Sequence, residues 1–277
     1  MIRIRSGLVA LALVAPLAGA QQQRSDRDFR WDGQVSEGRW VYVRNLNGEV
    51  RVERGSGSRV EVTAEKRWRR GNPDDVTIEV TRIGSGDRDI LVCAIWRDVT
   101  RECDENGYRT YDRNRRDDND RWGRNNDVAV DIVIRLPGGV RLDASSVNGA
   151  LDISGATAEV EAHTVNGGIR ASSSGGPIRA GTVNGDIDVQ MARLGSENLQ
   201  FNTVNGSIEV TVPGELNADV TMSTVNGRVG SDFPMTLNGR INPRRINATI
   251  GRGGQRLQFT TVNGSIDLRR GTGRSER

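Results

Sequence analysis

Apolar residues in the second half of the chain recur in a fixed relation to the tripeptide Val-Asn-Gly. Counted from the asparagine, the residue three positions later is apolar in every copy, and the residue five positions later often is. The residues six and four positions before the asparagine are mostly apolar as well. This period-two alternation on both sides of the motif predicts strands with one buried face.

The parity of the apolar positions changes at the motif. Even positions before the asparagine and odd positions after it cannot lie on one face of a straight strand, so we expect the chain to bend there. Asn-Gly is suited to a bend because it tolerates positive φ. The copies, with a degenerate one at Asn247, occur at intervals of 18, 18, 21, 21, 21 and 16 residues. Their asparagines are Asn148, Asn166, Asn184, Asn205, Asn226, Asn247 and Asn263.

Two architectures are compatible with these repeats. If each Asn-Gly is a type I′ turn, the strands form hairpins of an antiparallel sandwich or barrel. If each is a corner, successive coils stack in register as a β-solenoid. The near-identity of the motif favours the solenoid, because a hairpin meander does not need the same residues at every turn. In that fold the seven asparagines are expected to form a ladder along one edge and to satisfy buried corner amides.

The first half has longer strands and more aromatic residues. Alternating runs predict antiparallel strands at 39–45, 48–53, 59–66, 76–82 and 128–135. An early copy of the motif at 46–50 indicates that the same construction begins here. All five tryptophans precede residue 123, so we expect this half to cap one end of the solenoid. They are Trp31, Trp40, Trp68, Trp96 and Trp122.

The predicted organisation is a single β domain over residues 26–268. Its N-terminal part covers 26–145 and the solenoid repeats cover 146–268. Residues 97–127 are an insertion rich in arginine, aspartate and asparagine, expected to be a solvated, mobile loop. Residues 269–277 are expected to be a disordered tail.

Residues 1–20 have the pattern of a secretory signal peptide. Arg3 and Arg5 precede an apolar run over 8–17, and Ala18-Gly19-Ala20 forms a small-x-small cleavage site. The run is shorter than the roughly 20 residues of a membrane span, which argues against the alternative of a retained anchor. We therefore expect an exported protein without a membrane span in its mature form. Its location would be periplasmic, extracellular or at the cell surface.

Composition excludes several functions. The 277 residues include 39 Lys+Arg and 36 Asp+Glu, a net charge of only +3, so nucleic-acid binding is not expected. One histidine and two cysteines leave little for zinc or histidine-based catalysis. His163 is expected on an exposed face. Asp117, Asp118 and Asp120 lack the spacing of a calcium loop. No metal site and no cofactor are predicted.

Cys93 and Cys103 flank a short segment. In an oxidising compartment they are expected to form a disulfide, with metal binding or a reactive thiol as the alternative.

An outward column of charges gives the strongest case for catalysis. The position four residues after each asparagine reads Asp152, Arg170, Asp188, Glu209, Gly230, Gly251 and Asp267. Stacked about 4.8 Å apart, the first three would form an alternating ion ladder. Asp188 beside Glu209, with Asp186 nearby, would bring like charges together and could supply an acid–base pair for glycan cleavage. These three carboxylates form a weak candidate surface site.

Several features together resemble a known family. They are a tryptophan followed by N-L-N-G-E-V, the repeated T-V-N-G-x-I-x-V and a late S-D-F-P segment at 231–234. They are similar to the bacterial putative-adhesin family of β-strand-repeat domains, a family of unknown function, over roughly residues 29–268. The resemblance implies an exported or surface-associated β-solenoid and carries over no catalytic residues. The charged insertion departs from the family pattern.

The sequence therefore predicts a non-catalytic, exported β-solenoid that acts as an adhesin-like or envelope-associated binding scaffold. Its partner would be a cell-surface, glycan or envelope-protein ligand of unknown identity, bound on the outward strand face. The alternatives are a polysaccharide-active β-helix enzyme and a self-assembling structural envelope protein whose ends stack. The sequence leaves the oligomeric state open.

Overall fold

The alternating segments form strands throughout the chain. The computed structural model describes residues 28–97, 99–110, 126–239 and 242–271. Within those residues a three-residue 3-10 turn at Pro73–Asp75 is the one helical element. The strands are β1 (Asp28–Gln34), β2 (Trp40–Asn47), β3 (Val50–Arg54), β4 (Arg59–Arg67), β5 (Val76–Ile83), β6 (Asp89–Trp96), β7 (Thr100–Asp104), β8 (Gly107–Thr110), β9 (Ala129–Leu136), β10 (Arg141–Asn148), β11 (Leu151–Ala156), β12 (Val160–Asn166), β13 (Ile169–Ser173), β14 (Ile178–Gly181), β15 (Ile187–Met191), β16 (Leu199–Asn202), β17 (Ile208–Val212), β18 (Ala218–Ser223), β19 (Val229–Ser231), β20 (Thr236–Leu237), β21 (Arg245–Ile250), β22 (Gln255–Thr260) and β23 (Ile266–Arg270).

The strands before and after each corner belong to two different sheets. The first sheet has ten strands in the order β1-β4-β9-β3-β11-β13-β15-β17-β23-β19. The second sheet has eleven, in the order β20-β21-β18-β22-β16-β14-β12-β10-β2-β6-β5. Successive coils pair in parallel within both sheets, for example β10 with β12 and β11 with β13. The β-solenoid prediction is confirmed, and the hairpin interpretation is wrong because strands joined by a corner do not pair with each other.

Side chains between the sheets form columns of similar residues. In the first sheet five residues of the column three positions after asparagine are 0–2% exposed, namely Leu151, Ile169, Ile187, Ile208 and Ile266, and Val229 in the edge strand is partly buried. In the second sheet Phe201 stacks on Phe259 with ring centroids 5.2 Å apart. Residues from both sheets belong to one continuous core. Each coil therefore buries its apolar face against its neighbours.

The last coils do not stack in sequence order. The coil of Asn263 lies between those of Asn205 and Asn226, because β22 pairs with both β16 and β18 and β23 pairs with both β17 and β19. Stacking in chain order, as expected from the sequence, would have put the Asn226 coil next to that of Asn205. In the structure the segments Leu199–Phe201 and Leu257–Phe259, which are identical in sequence, lie side by side in register. The short β19 takes the edge position, where a short strand offers little for unwanted pairing.

The degenerate copy around Asn247 is not a coil. Its strand β21 runs antiparallel to β18, and Asn247 is the register partner of Thr221. The two-residue β20 pairs antiparallel with β21 and ends the second sheet. The prediction that Asn247 belongs to the asparagine ladder is wrong. The segment lacks the Val and Gly of a corner, and it turns back along the edge strand.

The N-terminal cap is antiparallel only at its outer strands. β1 with β4, β4 with β9 and β5 with β6 are antiparallel. β2 and β3, predicted to be antiparallel, instead pair in parallel with β10 and β11, since the corner at Asn47 places them on different sheets. Trp96 is buried, and Trp31 and Trp68 are partly buried against the core. Trp122 lies outside the described residues.

Part of the charged insertion is ordered. β7 and β8 form a hairpin, and Cys103 in β7 is bonded to Cys93 in β6. The expectation of a mobile loop over 97–127 is therefore wrong for this hairpin, which the disulfide fixes to the second sheet. The rest of that expectation, and Asp117, Asp118 and Asp120, fall outside the described residues. At the other end, β23 continues through Arg269 and Arg270, which had been assigned to the tail.

The inward and outward assignments can be tested at neighbouring residues. Ile208 is fully buried between Ile187 and Ile266, and Glu209 is half exposed. We expect Ile208→Ala to cost about 2–5 kcal/mol of unfolding free energy. Glu209→Ala should cost about 0–1 kcal/mol, because exposed ion pairs contribute little. Thermal unfolding measures both, and equal effects or a larger effect for Glu209 would mean that the strand face is misassigned.

The disulfide gives a second prediction. In the loop-entropy description, closing the segment between Cys93 and Cys103 stabilises the fold by about 2–3 kcal/mol. Reduction, or the Cys93→Ala/Cys103→Ala variant, should lower the unfolding free energy by that amount. Thiol titration of the unfolded, non-reduced exported protein should detect no free thiol. Two free thiols per chain would contradict the bridge.

Candidate functional site

The corners are held from the inside by a column of buried polar side chains, most of them threonines. The threonine two positions before asparagine is 1–7% exposed, and its Oγ1 donates to the carbonyl of the corner glycine of the adjacent coil at 2.8–3.0 Å. This threonine column consists of Thr164, Thr182, Thr203, Thr261 and Thr224. In the first coil Asn45 replaces the threonine, and its Nδ2 donates to Gly48 and Val130. The column ties the corners together from within.

The corner asparagines form a hydrogen-bonded ladder on the surface. Each side-chain Nδ2 donates to the Oδ1 of the preceding rung at 2.7–2.8 Å. In spatial order the rungs are Asn148, Asn166, Asn184, Asn205, Asn263 and Asn226. These side chains are exposed, although they had been expected to satisfy buried amides. Backbone bonds between coils satisfy the corner amides instead, for example Gly167 N to Asn184 O at 3.0 Å.

Close approach of the backbones explains the glycine at each corner. A Cβ on any of the solenoid's corner glycines would lie 1.8–2.2 Å from the carbonyl oxygen of the adjacent coil's glycine. These are Gly149, Gly167, Gly185, Gly206, Gly227 and Gly264. Positive φ was the expected reason. Among the described corner residues, however, it occurs only at Gly48 (118°) and Gly264 (158°). The requirement is therefore steric rather than conformational.

In five coils the valine before the asparagine points into solvent. These five valines are 37–51% exposed, namely Val165, Val183, Val204, Val225 and Val262. They lie on adjacent coils next to the asparagine ladder. In the sequence this valine served only to mark the position of the bend. The possibility that it makes an intermolecular contact was missed. The sequence held a signal for this, because an apolar residue at the position where the alternation switches does not point into the core.

The outward face of the first sheet carries a continuous row of charged residues. Strand register places Arg51 beside Asp152, and the row continues through Arg170, Asp188, Glu209 and Asp267 to Gly230. We call this set the outward row. Gly251, which had been assigned to it, follows β21 at φ 59° and lies beside Asn217. Asp267 takes the place next to Glu209 because its coil is inserted there.

Arginines accompany the carboxylates of the outward row. Arg170 Nε lies 3.9 Å from Asp188 Oδ2, and Arg269 lies 3.7 Å from Glu209 and 3.3 Å from Asp267. Asp186 is not part of the row, and its Oδ1 accepts a hydrogen bond from Ser207 N at 2.7 Å. Arg269 was missed because it had been assigned to the disordered tail. The row is therefore a mixed-charge surface.

A buried ion pair anchors the insertion hairpin. Arg44 is 3% exposed and binds both carboxylate oxygens of Asp143 at 2.8 and 2.9 Å, a bidentate geometry. It also donates to the carbonyl of Glu105, in the turn of the hairpin. Tyr108 Oη lies 2.6 Å from the carbonyl oxygens of Arg44 and Ala94, and burial raises its pKa. The sequence did contain a signal for this anchor. Arg44 lies three positions before Asn47, and the other coils have a small, uncharged polar or histidine residue at that position.

Other candidate chemistry is sparse in the parts of the chain that the structure describes. His163 is exposed on the second sheet. Within the described ranges, no group of three His, Cys, Asp or Glu side chains is arranged to hold a metal ion. No helix there is long and apolar enough to cross a membrane.

The stacked coils and their glycine corners agree with a family assignment. The family described as Toastrack DUF4097 matches residues 106–269, more than half of the chain, and the chain belongs to this family. It is a domain family of unknown function. Among curated proteins, no sequence matches significantly.

Three solved structures are similar to this chain at low identity. A putative cell adhesion protein from Clostridium sporogenes is 10% identical, with 88% of this chain and 100% of that chain covered and a TM-score of 0.44. A putative adhesin from Bacteroides fragilis is 9% identical over 89% and 98%, with a TM-score of 0.26. Another from Parabacteroides merdae is 10% identical over 88% and 97%, with a TM-score of 0.28. Likenesses this weak do not bear on function.

The steric role of the corner glycine gives a third prediction. A Cβ at Gly206 would lie 1.9 Å from Gly185 O, so Gly206→Ala must separate two coils and should cost about 1–3 kcal/mol or more. Gly214 is the matched control, because the nearest atom to its Cβ would be 3.9 Å away. Chemical denaturation measures both variants. A Gly206→Ala variant as stable as Gly214→Ala would show that coil spacing does not depend on the corner.

Proposed function

We propose that this protein is an exported, non-catalytic binding scaffold of the cell envelope, and that the outward row is its contact surface. The observation that carries the proposal is the continuity of the row, from Arg51 to Asp267 on adjacent strands. These strands share a core whose inward residues are almost completely buried. A rigid sheet with exposed side chains at regular spacing suits contact with an extended ligand.

Charge along the outward row indicates what the ligand presents. Arg51, Asp152, Arg170 and Asp188 alternate in sign, and Glu209 and Asp267 then add two further carboxylates. Arg269 offsets part of that negative charge. A partner with polar groups and some positive charge complements this arrangement, as a cell-surface glycan bearing amino groups or an envelope protein would.

The disulfide supports an extracytoplasmic location. Bridges such as Cys93–Cys103 form and persist mainly in oxidising compartments. The predicted signal peptide at 1–20 is in line with export.

Geometry argues against the glycan-cleaving alternative. Asp188 and Glu209 are register partners on adjacent strands, and both project from the same side of the sheet with side chains 43% and 53% exposed. Each carboxylate also has an arginine partner, Arg170 for Asp188 and Arg269 for Glu209. A mixed-charge surface therefore accounts for both side chains without a catalytic role.

The proposal predicts binding without turnover. The purified protein should sediment with isolated bacterial cell envelopes in a salt-sensitive manner and release no product from uronate-containing or neutral glycans. Asp188→Asn/Glu209→Gln should weaken envelope binding several-fold. The control Gln200→Ala/Gln258→Ala, on the second sheet, should not. Reproducible product release that is lost in Asp188→Asn, or no retention on envelopes, would overturn the scaffold function.

A further inference from the structure

Exposed apolar side chains in the described part of the chain are concentrated at the corners. Seven large hydrophobic residues there are exposed, and five of them are the valines before asparagine. Val165, Val183, Val204, Val262 and Val225 occupy adjacent coils, so they form a single column with the strand spacing of about 4.8 Å. Scattered exposed valines need no explanation, but a contiguous apolar column often marks an interaction site.

The surroundings of this valine column are nearly free of charge. The columns beside it contain the asparagine ladder, small or polar residues three positions before asparagine, and the residues two positions after it. From the coil of Asn148 to that of Asn226, Asp186 and Arg228 are the two fully charged residues in these columns, and their signs are opposite. The whole chain is 27% charged. Depletion of charge around an apolar centre is typical of interface cores.

We infer that this corner face, the valine column with its flanking columns, binds the corner face of a second copy of this chain. A column of side chains repeated at the strand spacing fits a surface with the same spacing. A second copy of this chain carries such a surface. With a two-fold axis perpendicular to the solenoid axis, valines face valines and asparagines face asparagines. The opposite charges of Asp186 and Arg228 leave no net repulsion between the two faces.

The area of the corner face indicates a weak dimer. Six coils at strand spacing span about 29 Å along the solenoid axis, and the columns of the corner face span about 17 Å across it. The two faces of a dimer would therefore bury roughly 1,000 Å² in total. This is at the lower limit for a specific interface. We therefore expect association in the micromolar range or weaker, side by side rather than through the ends of the solenoid. The contact leaves the outward row free, so it does not depend on the function proposed above.

Sedimentation equilibrium tests the inference on the purified protein over about 1 µM to 1 mM, which brackets micromolar association. The wild type should pass from monomer to dimer. Val204→Glu/Val262→Glu places two charges in adjacent coils of the column and should weaken dimerisation at least about tenfold. Gln200→Glu/Gln258→Glu adds the same charges to the same coils, on the outer face of the second sheet, and should dimerise like the wild type.

Thermal unfolding of each variant distinguishes lost association from lost folding. Should the glutamate variant fail to fold, Val204→Thr/Val262→Thr keeps β-branched side chains and should still weaken the dimer. A wild type that stays monomeric at all concentrations would overturn the inference. Dimerisation unchanged in folded valine variants would do so as well. If Val204→Glu/Val262→Glu and Gln200→Glu/Gln258→Glu weaken dimerisation equally, the added net charge explains the effect and the inference is overturned.

Discussion

At each corner of the solenoid, the backbones of adjacent coils approach so closely that a Cβ on the glycine would come within 1.8–2.2 Å of a carbonyl oxygen. Parallel strand pairing sets the spacing and register of the coils, and the corner can keep them only because this residue has no side chain. The threonine hydroxyl can reach the adjacent glycine carbonyl, and one asparagine amide can reach the next, because the coils are in register at strand spacing. The fold thus depends on a steric constraint at one residue, which hydrogen bonds on both sides then reinforce.

The same stacking generates the surfaces available for binding. A residue that points outward in one coil is followed, on the next strand, by the residue at the same motif position. Differences between coils therefore become patterns along the solenoid: the outward row alternates in charge over Arg51, Asp152 and Arg170, whereas the valine column remains uniform. The strands that carry these surfaces are hydrogen-bonded to their neighbours and packed on a buried core. Neither surface therefore has to become ordered when it binds, which reduces the entropic cost of binding.

Both ends of the stack depart from the repeat, and each does so by contacts between residues distant in sequence. At the N-terminal end, the Arg44–Asp143 pair, Tyr108 and the disulfide hold the insertion hairpin against the second sheet. At the other end the coil of Asn263 lies between those of Asn205 and Asn226, and β21 turns back antiparallel. Arg269 then reaches Glu209 and Asp232, which explains why the chain stays ordered beyond Leu268.

The sequence by itself determined the period, the corner, the inward and outward parity and the β-solenoid, because these depend on local alternation and on one repeated motif. It did not determine the order of the last coils, the exclusion of Asn247 from the ladder or the docking of the hairpin. Parallel backbone pairing is the same for any two coils that carry the motif, so the motif cannot choose neighbours. That choice depends on side-chain matching, such as Phe201 on Phe259, between segments 58 residues apart. Only the tertiary structure brings those segments together.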